Sequence, residues 1–139
     1  MGTGRLSLER GVASFTLSLP VTPRGQERPR FANGHSYTPA KTRNAMREIR
    51  EMWKAAGAPV VEGEWFTAEV TARFQQPRST KYPYPPRTDV DNIAKLVLDS
   101  LQDCAFPNDS RCRSLTVSKE WADTDSLLVT LSWDRPAEG

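Results

Sequence analysis

Residues 75–87, QQPRSTKYPYPPR, hold four of the eleven prolines in this 139-residue chain, and such a stretch cannot run through a helix or a sheet interior. Each proline fixes φ and removes a backbone donor, so the segment must be an irregular arm that is mobile or wraps a surface. The two flanks are therefore read separately. Upstream, VASFTLSLP at 12–20 alternates apolar and polar residues and stops at a proline, which predicts a strand. The stretch that follows, VTPRGQERPRFANGHSYTP at 21–39, is rich in Pro, Gly and Arg and reads as an irregular arm. A helix is expected from Pro39 to about Ala56, ahead of Gly57, with Met46, Ile49, Trp53 and Ala56 on one face. EWFTAEVTARF at 64–74 alternates again, with Phe66, Ala68, Val70 and Ala72 on one face of a second strand.

Downstream of the arm, a helix is predicted over 90–102, followed by two β-rich runs, RSLTVSKEW and LLVTLSW. The five residues ADTDS between those runs suggest an antiparallel hairpin. The order β-α-β-α-β-β predicts an α+β fold in which helices pack on a mixed sheet. One domain over 1–139 is expected, with flexible ends at 1–11 and 135–139.

Composition narrows the function. With 37% apolar and 26% charged residues the chain reads as soluble and globular, and no apolar run nears the roughly 20 residues of a membrane span. The first twenty residues lack the order of a signal peptide, so a cytoplasmic protein with Cys104 and Cys112 reduced is expected. Those two cysteines and the single His35 make a poor structural zinc set, so any metal would take oxygen ligands, which favours Mg²⁺ or Mn²⁺. Net charge is only +2 but unevenly spread: residues 22–87 hold twelve Lys/Arg against six Asp/Glu, and residues 88–139 hold five against ten. A basic half beside an acidic half suits a polyanion gripped next to a carboxylate cluster; ordinary charge scatter is the simpler alternative.

The acidic half opens with RTDVDNIAKLVLDSLQD at 87–103. On a helix, Val90, Ile93, Ala94, Val97 and Leu101 form an apolar face, while Asp91, Lys95 and Asp99 fall at i, i+4 and i+8 on another. The plain explanation makes Asp89 an N-cap and pairs Lys95 with Asp91 and Asp99, each pair worth a few tenths of a kcal/mol, on the order of 0.2–0.5. It does not explain why two carboxylates stand one residue apart. Their repulsion is relieved best by a hard divalent cation, and Lys95 one turn on could reach a phosphate or polarise a water. Asp109, after the turn FPNDS, could fold back as a further carboxylate. A calcium loop is excluded because Ile93 and Ala94 occupy the third ligand and glycine positions. An aspartyl-phosphate motif would need a buried strand where YPYPPRT stands, and there is neither a glycine-rich phosphate loop nor a Ser-His-Asp set.

The span RTDVDNIAKLVLDSLQDCAFPNDSRCRSLTVSKEW resembles the RusA family of Holliday junction resolvases, crossover junction endodeoxyribonucleases. The matching residues are Asp89, Asp91, Asn92, Lys95, Asp99, Leu101, Asp109 and Lys119, and GQERPRF and YTPAKT resemble the arm and first helix start of phage-type members. The chain departs from the pattern at Asn108, where an Asp-Asp pair is usual, and lacks the common glycine in the preceding turn. Asp109 is matched to the second Asp through its ten-residue spacing to Lys119. The resemblance implies a RusA-like fold, a homodimer, a four-way or branched DNA substrate, Mg²⁺ dependence, and paired symmetric nicks serving recombination and repair, in a bacterial or phage-encoded protein.

On that basis Asp89, Asp91 and Asp109 are the expected metal ligands, with Lys95 as the fourth catalytic residue, stabilising transition-state charge or orienting the nucleophile. Asn92 is expected to fix a ligand carboxylate, and Asp99 either ligates or pairs with Lys95. Phosphate contacts are expected from Arg28, Arg30 and Lys41, from Arg43, Arg47 and Arg50 on the basic helix stripe, from Lys81 and Arg87 on the arm, and from Lys119. Tyr37, Tyr82 and Tyr84 are either stacking groups for unpaired bases or ordinary loop residues. Two rivals remain open: a junction binder with a damaged site, which Asn108 favours, and a flap-directed or branch-directed nuclease.

Overall fold

A computed structural model describes residues 4–9, 11–27 and 30–135. Its centre is a five-stranded sheet in the order β1-β2-β7-β5-β6, made of β1 (Gly4–Glu9), β2 (Val12–Leu19), β5 (Phe66–Gln75), β6 (Cys112–Ala122) and β7 (Ser126–Asp134). Only β5 and β6 run parallel; every other neighbouring pair is antiparallel. The sheet is thus mixed, and the fold is α+β as expected. Two short strands, β3 (Arg30–Ala32) and β4 (His35–Tyr37), form a separate hairpin.

The helices α1 (Ala40–Ala55) and α2 (Val90–Leu101) cover one face of the sheet. Alternation along the strands supplies the apolar side: Phe66, Ala68, Val70 and Ala72 of β5 are buried, as are Leu127, Val129, Leu131 and Trp133 of β7. From α1, Ile49 and Trp53 enter the core while Met46 and Ala56 pack at its margin. Trp53 meets Phe15 edge-on, with ring centroids 5.3 Å apart. From α2, Ile93, Leu96, Val97 and Leu101 are buried. This helix touches both the sheet and α1, so its buried face is wider than the predicted stripe and includes Leu96 and Ser100, whereas Val90 stays 39% exposed. No described helix is long and apolar enough to cross a membrane.

Three expectations are corrected. The stretch 4–9 is a paired strand rather than a flexible end; residues 1–3, 10 and 136–139 lie outside the described residues. The arm at 21–39 contains the β3–β4 hairpin, closed by Asn33 and Gly34, both at positive φ. An Asn-Gly pair suits a two-residue hairpin turn, so the signal was in the sequence. Third, β6 and β7 do not pair. Residues 123–125 carry the chain over the carboxyl end of β5, where Asp125 accepts from the Gln75 N–H at 2.7 Å and the Ala122 carbonyl accepts from the Gln76 N–H at 3.0 Å. The fully alternating β7 buries best between β2 and β5, while β6, with Arg113, Lys119 and Glu120, takes the edge.

This arrangement positions α2. Parallel strands need a crossover, and α2 supplies it between β5 and β6. The proline-rich arm therefore ends, and α2 begins, near the carboxyl ends of the parallel pair, where sites on such sheets collect.

Candidate active site

The approach to α2 is strained. Thr88 has φ 68°, a left-handed conformation that a β-branched residue adopts only under constraint. The constraint comes from β6: the Lys119 ammonium donates to the Thr88 carbonyl at 3.0 Å and to the Arg87 carbonyl at 3.4 Å. A further strut comes from residues 24–27. Gln26 N–H donates to the Asn92 carbonyl at 3.1 Å, and a Cβ on Gly25 would stand 3.0 Å from Asn92 Cβ and 3.3 Å from Thr88 Cγ2. Glycine is the residue that allows this approach.

Asp89 occupies the N-cap position of α2, and its carbonyl accepts from the Ile93 N–H at 3.1 Å, yet its carboxylate makes no capping bond. The ion pairs of the plain explanation are also absent. Among the described residues the ion pairs are Arg30–Glu27, Arg73–Glu120 and Arg111–Glu64, so Asp89, Asp91, Lys95, Asp99 and Asp109 form none. Asp91, Lys95, Asp99 and Asp109 line one groove of about 560 Å³ between α2 and β6, floored by Ala94, Leu98, Leu115 and Val117. Asp89 does not line it, although it is exposed.

Asp109 reaches this groove through a single 3₁₀ turn, Asp109–Arg111. Asn108 caps that turn: its Oδ1 accepts from the Ser110 N–H at 2.9 Å. The residue that departs from the family pattern thus keeps a capping role, which Asp and Asn fill equally well, on the turn that carries Asp109.

Carboxylates that are exposed (Asp89, Asp91) or half-buried (Asp99, Asp109) and free of protein cations are suitable donors for a hard divalent ion, so the chemistry of the set fits Mg²⁺ or Mn²⁺. The described side chains do not by themselves close a shell: no three or more His, Cys, Asp or Glu side chains converge on one point. Both cysteines are free, and burial pushes each thiol pKa above its ordinary value, most simply consistent with packing groups rather than ligands.

The expected phosphate contacts divide. Lys41, Arg43, Arg47, Lys81 and Arg87 are exposed, and Arg30 is exposed with a 3.5 Å contact to Glu27. Arg28 lies outside the described residues. Arg50 is half-buried and donates to the Ser100 and Gln102 carbonyls at 3.0 and 3.4 Å, tying α1 to the end of α2. Lys119 holds the backbone of the turn. Asn92 contributes its main chain, and no side-chain hydrogen bond of its amide is seen among the described residues. Sequence reasoning passed over Arg24, which with Gly25, Lys41 and Thr88 lines a groove of about 240 Å³ beside the turn. It also passed over the strain at Thr88, which no local signal announces.

A search of curated proteins finds no match to the chain. The family model described as Endodeoxyribonuclease RusA matches residues 20–132, from the end of β2 nearly to the end of β7, and so includes the turn, α2, Asp109 and Lys119. A match over that much of the chain makes it a member of the RusA endodeoxyribonuclease family.

Proposed function

We infer that the protein is a divalent-metal-dependent endonuclease that resolves four-way DNA junctions by paired, symmetric nicks, acting as a homodimer. The observation that carries this reading is the groove in which Asp91, Asp99 and Asp109 stand beside Lys95 with no ion pair among them. Membership of a nuclease family supports the reaction class.

Asp91 and Asp109, joined by Asp89 across the first turn of α2, would hold the metal, which supplies charge stabilisation at the phosphate and a more acidic water. Lys95 places a positive charge one helical turn from Asp91, where it lowers the cost of negative charge building on a phosphodiester in the groove. Exposed Lys81, Arg87, Lys41, Arg43 and Arg47 offer contacts to the dense phosphate charge of duplex arms. Lys119 acts through the backbone, holding the Arg87–Thr88 turn from which Asp89 and Asp91 project. Asn108 caps the turn that presents Asp109, which supports a site that still carries Asp109 in place.

The test is cutting of a synthetic mobile four-way junction in Mg²⁺ and in EDTA, beside a flap and a linear duplex of the same sequence. Paired Mg²⁺-dependent nicks across the junction are expected. Preferred cutting of the flap would replace junction resolution with general branch-directed cleavage. Tight junction binding with no cutting in any divalent ion would make the protein a binder.

A further inference from the structure

The proline-rich segment 75–87 folds over the carboxyl ends of β5 and β6 and leaves a half-open cavity of about 370 Å³ beneath it. Its apolar walls are the aromatic rings of Phe74, Tyr82 and Trp121 and the saturated pyrrolidine rings of Pro77, Pro85 and Pro86. The Trp121 indole N–H donates to the Tyr82 carbonyl at 2.9 Å, so the ring's one polar group is engaged and its face is held as a wall. Aromatic walls braced by proline rings suit a flat occupant.

The segment over the cavity is basic, and Arg87 is the cation that lines it. Residues 75–87 include Arg78, Lys81 and Arg87 and no acid, and none of the three is in an ion pair among the described residues. The Lys81 ammonium stands 5.5 Å from the Tyr82 ring centroid. Asp125 also lines the cavity, and its carboxylate already accepts from the Gln75 N–H at 2.7 Å and Thr22 Oγ1 at 3.0 Å. An aromatic-walled cavity lined by Arg87 and roofed by a basic segment matches a molecule that joins an aromatic heterocycle to an anion.

We propose that this cavity takes one unstacked nucleobase from the strand whose phosphodiester lies at the α2 groove. The proposal rests on the branched-DNA reading above. Arg87 lines the cavity and is two residues before Asp89. Two residues span at most about 7 Å, so the cavity lies within a nucleotide or so of the carboxylates that open α2. Bases at a crossover are the cheapest to unstack, and aromatic side chains hold an unstacked base through its face without regard to sequence.

The test measures binding alone, in EDTA, with the full chain and a four-way junction. A panel of otherwise identical junctions carries one abasic nucleotide at successive positions around the crossover. One position is expected to lose about tenfold in affinity. Tyr82→Ala, at a side chain 47% exposed whose carbonyl partner to Trp121 is retained, should lose about tenfold on the intact junction and nothing further on that abasic junction. Thermal unfolding of the variant confirms its fold. Equal binding of every abasic junction by the parent would overturn the proposal and leave the junction reading standing; a cavity built for a peptide gives that result. Equal losses by Tyr82→Ala on intact and abasic junctions would also overturn it. A protein that binds no branched DNA would overturn both readings.

Discussion

The ammonium of Lys119 sits 3.0 Å from the main-chain carbonyl of Thr88, a residue forced to positive φ one position ahead of Asp89. The strand that closes the parallel pair thereby holds the turn that starts the crossover helix, and the carboxylates inherit their position from it. A cation bonded to two backbone carbonyls is well suited to hold a strained turn, since charge-assisted bonds are roughly twice as strong as neutral ones.

Lys119→Met is expected to lower cutting about tenfold or more while changing junction affinity less than threefold, because the lost group acts on the backbone. Stability should fall by about 1 kcal/mol, the bonds being only partly buried. Rates under single turnover, junction affinity in EDTA and partial rescue by Lys119→Arg check this. A loss confined to affinity, with a shallower salt dependence, would make Lys119 a phosphate contact.

Thr88→Gly removes the steric penalty of the left-handed conformation, on the order of 1–2 kcal/mol, and returns part of it as extra freedom in the unfolded chain. A net stability gain of about 0.5 kcal/mol is expected, read from the denaturant midpoint, together with slower cutting from a looser turn. A destabilised protein would contradict the account of strain.

Asp91→Asn and Asp109→Asn should each bind the four-way junction with near-parental affinity and cut it at least about 100-fold more slowly. Asp99 is half-buried, lines the same groove and pairs with no cation among the described residues, so Asp99→Asn is expected to slow cutting about tenfold. Parental rates for Asp99→Asn would give that residue a surface role only.

Arg50→Met should cost about 1–2 kcal/mol in unfolding free energy, because its guanidinium satisfies two carbonyls at the end of α2. The salt slope of junction binding should stay unchanged. Replacing the exposed Arg43 or Arg47 by alanine is expected to do the reverse, reducing the slope by about 0.9 if each neutralises one phosphate and leaving stability intact. Anisotropy titrations over a series of salt concentrations separate the two cases.

Much of this protein was legible before any coordinates. Period-two alternation located β2 and β5, period-3.6 patterns located both helices, and the proline-dense arm marked a break that the structure bears out. The Asn-Gly pair at 33–34 announced a hairpin that an emphasis on Pro and Arg obscured. The stretch around Asp-x-Asp-Asn-x-x-Lys pointed to the family through its resemblance to the known pattern, and the family model over residues 20–132 agrees. Residue types at short range are enough for all of these.

What the sequence could not determine is which distant groups meet. That β7 slips between β2 and β5, so that β6 becomes an edge parallel to β5, depends on the burial of whole strands against one another. That choice brings Lys119 to Thr88 and Asp109 to the groove of α2, and it turns Arg50 from one more residue of a basic stripe into a tie between helices. A spacing rule sees a helix face; only packing of the sheet decides which backbone carbonyl or carboxylate stands opposite it.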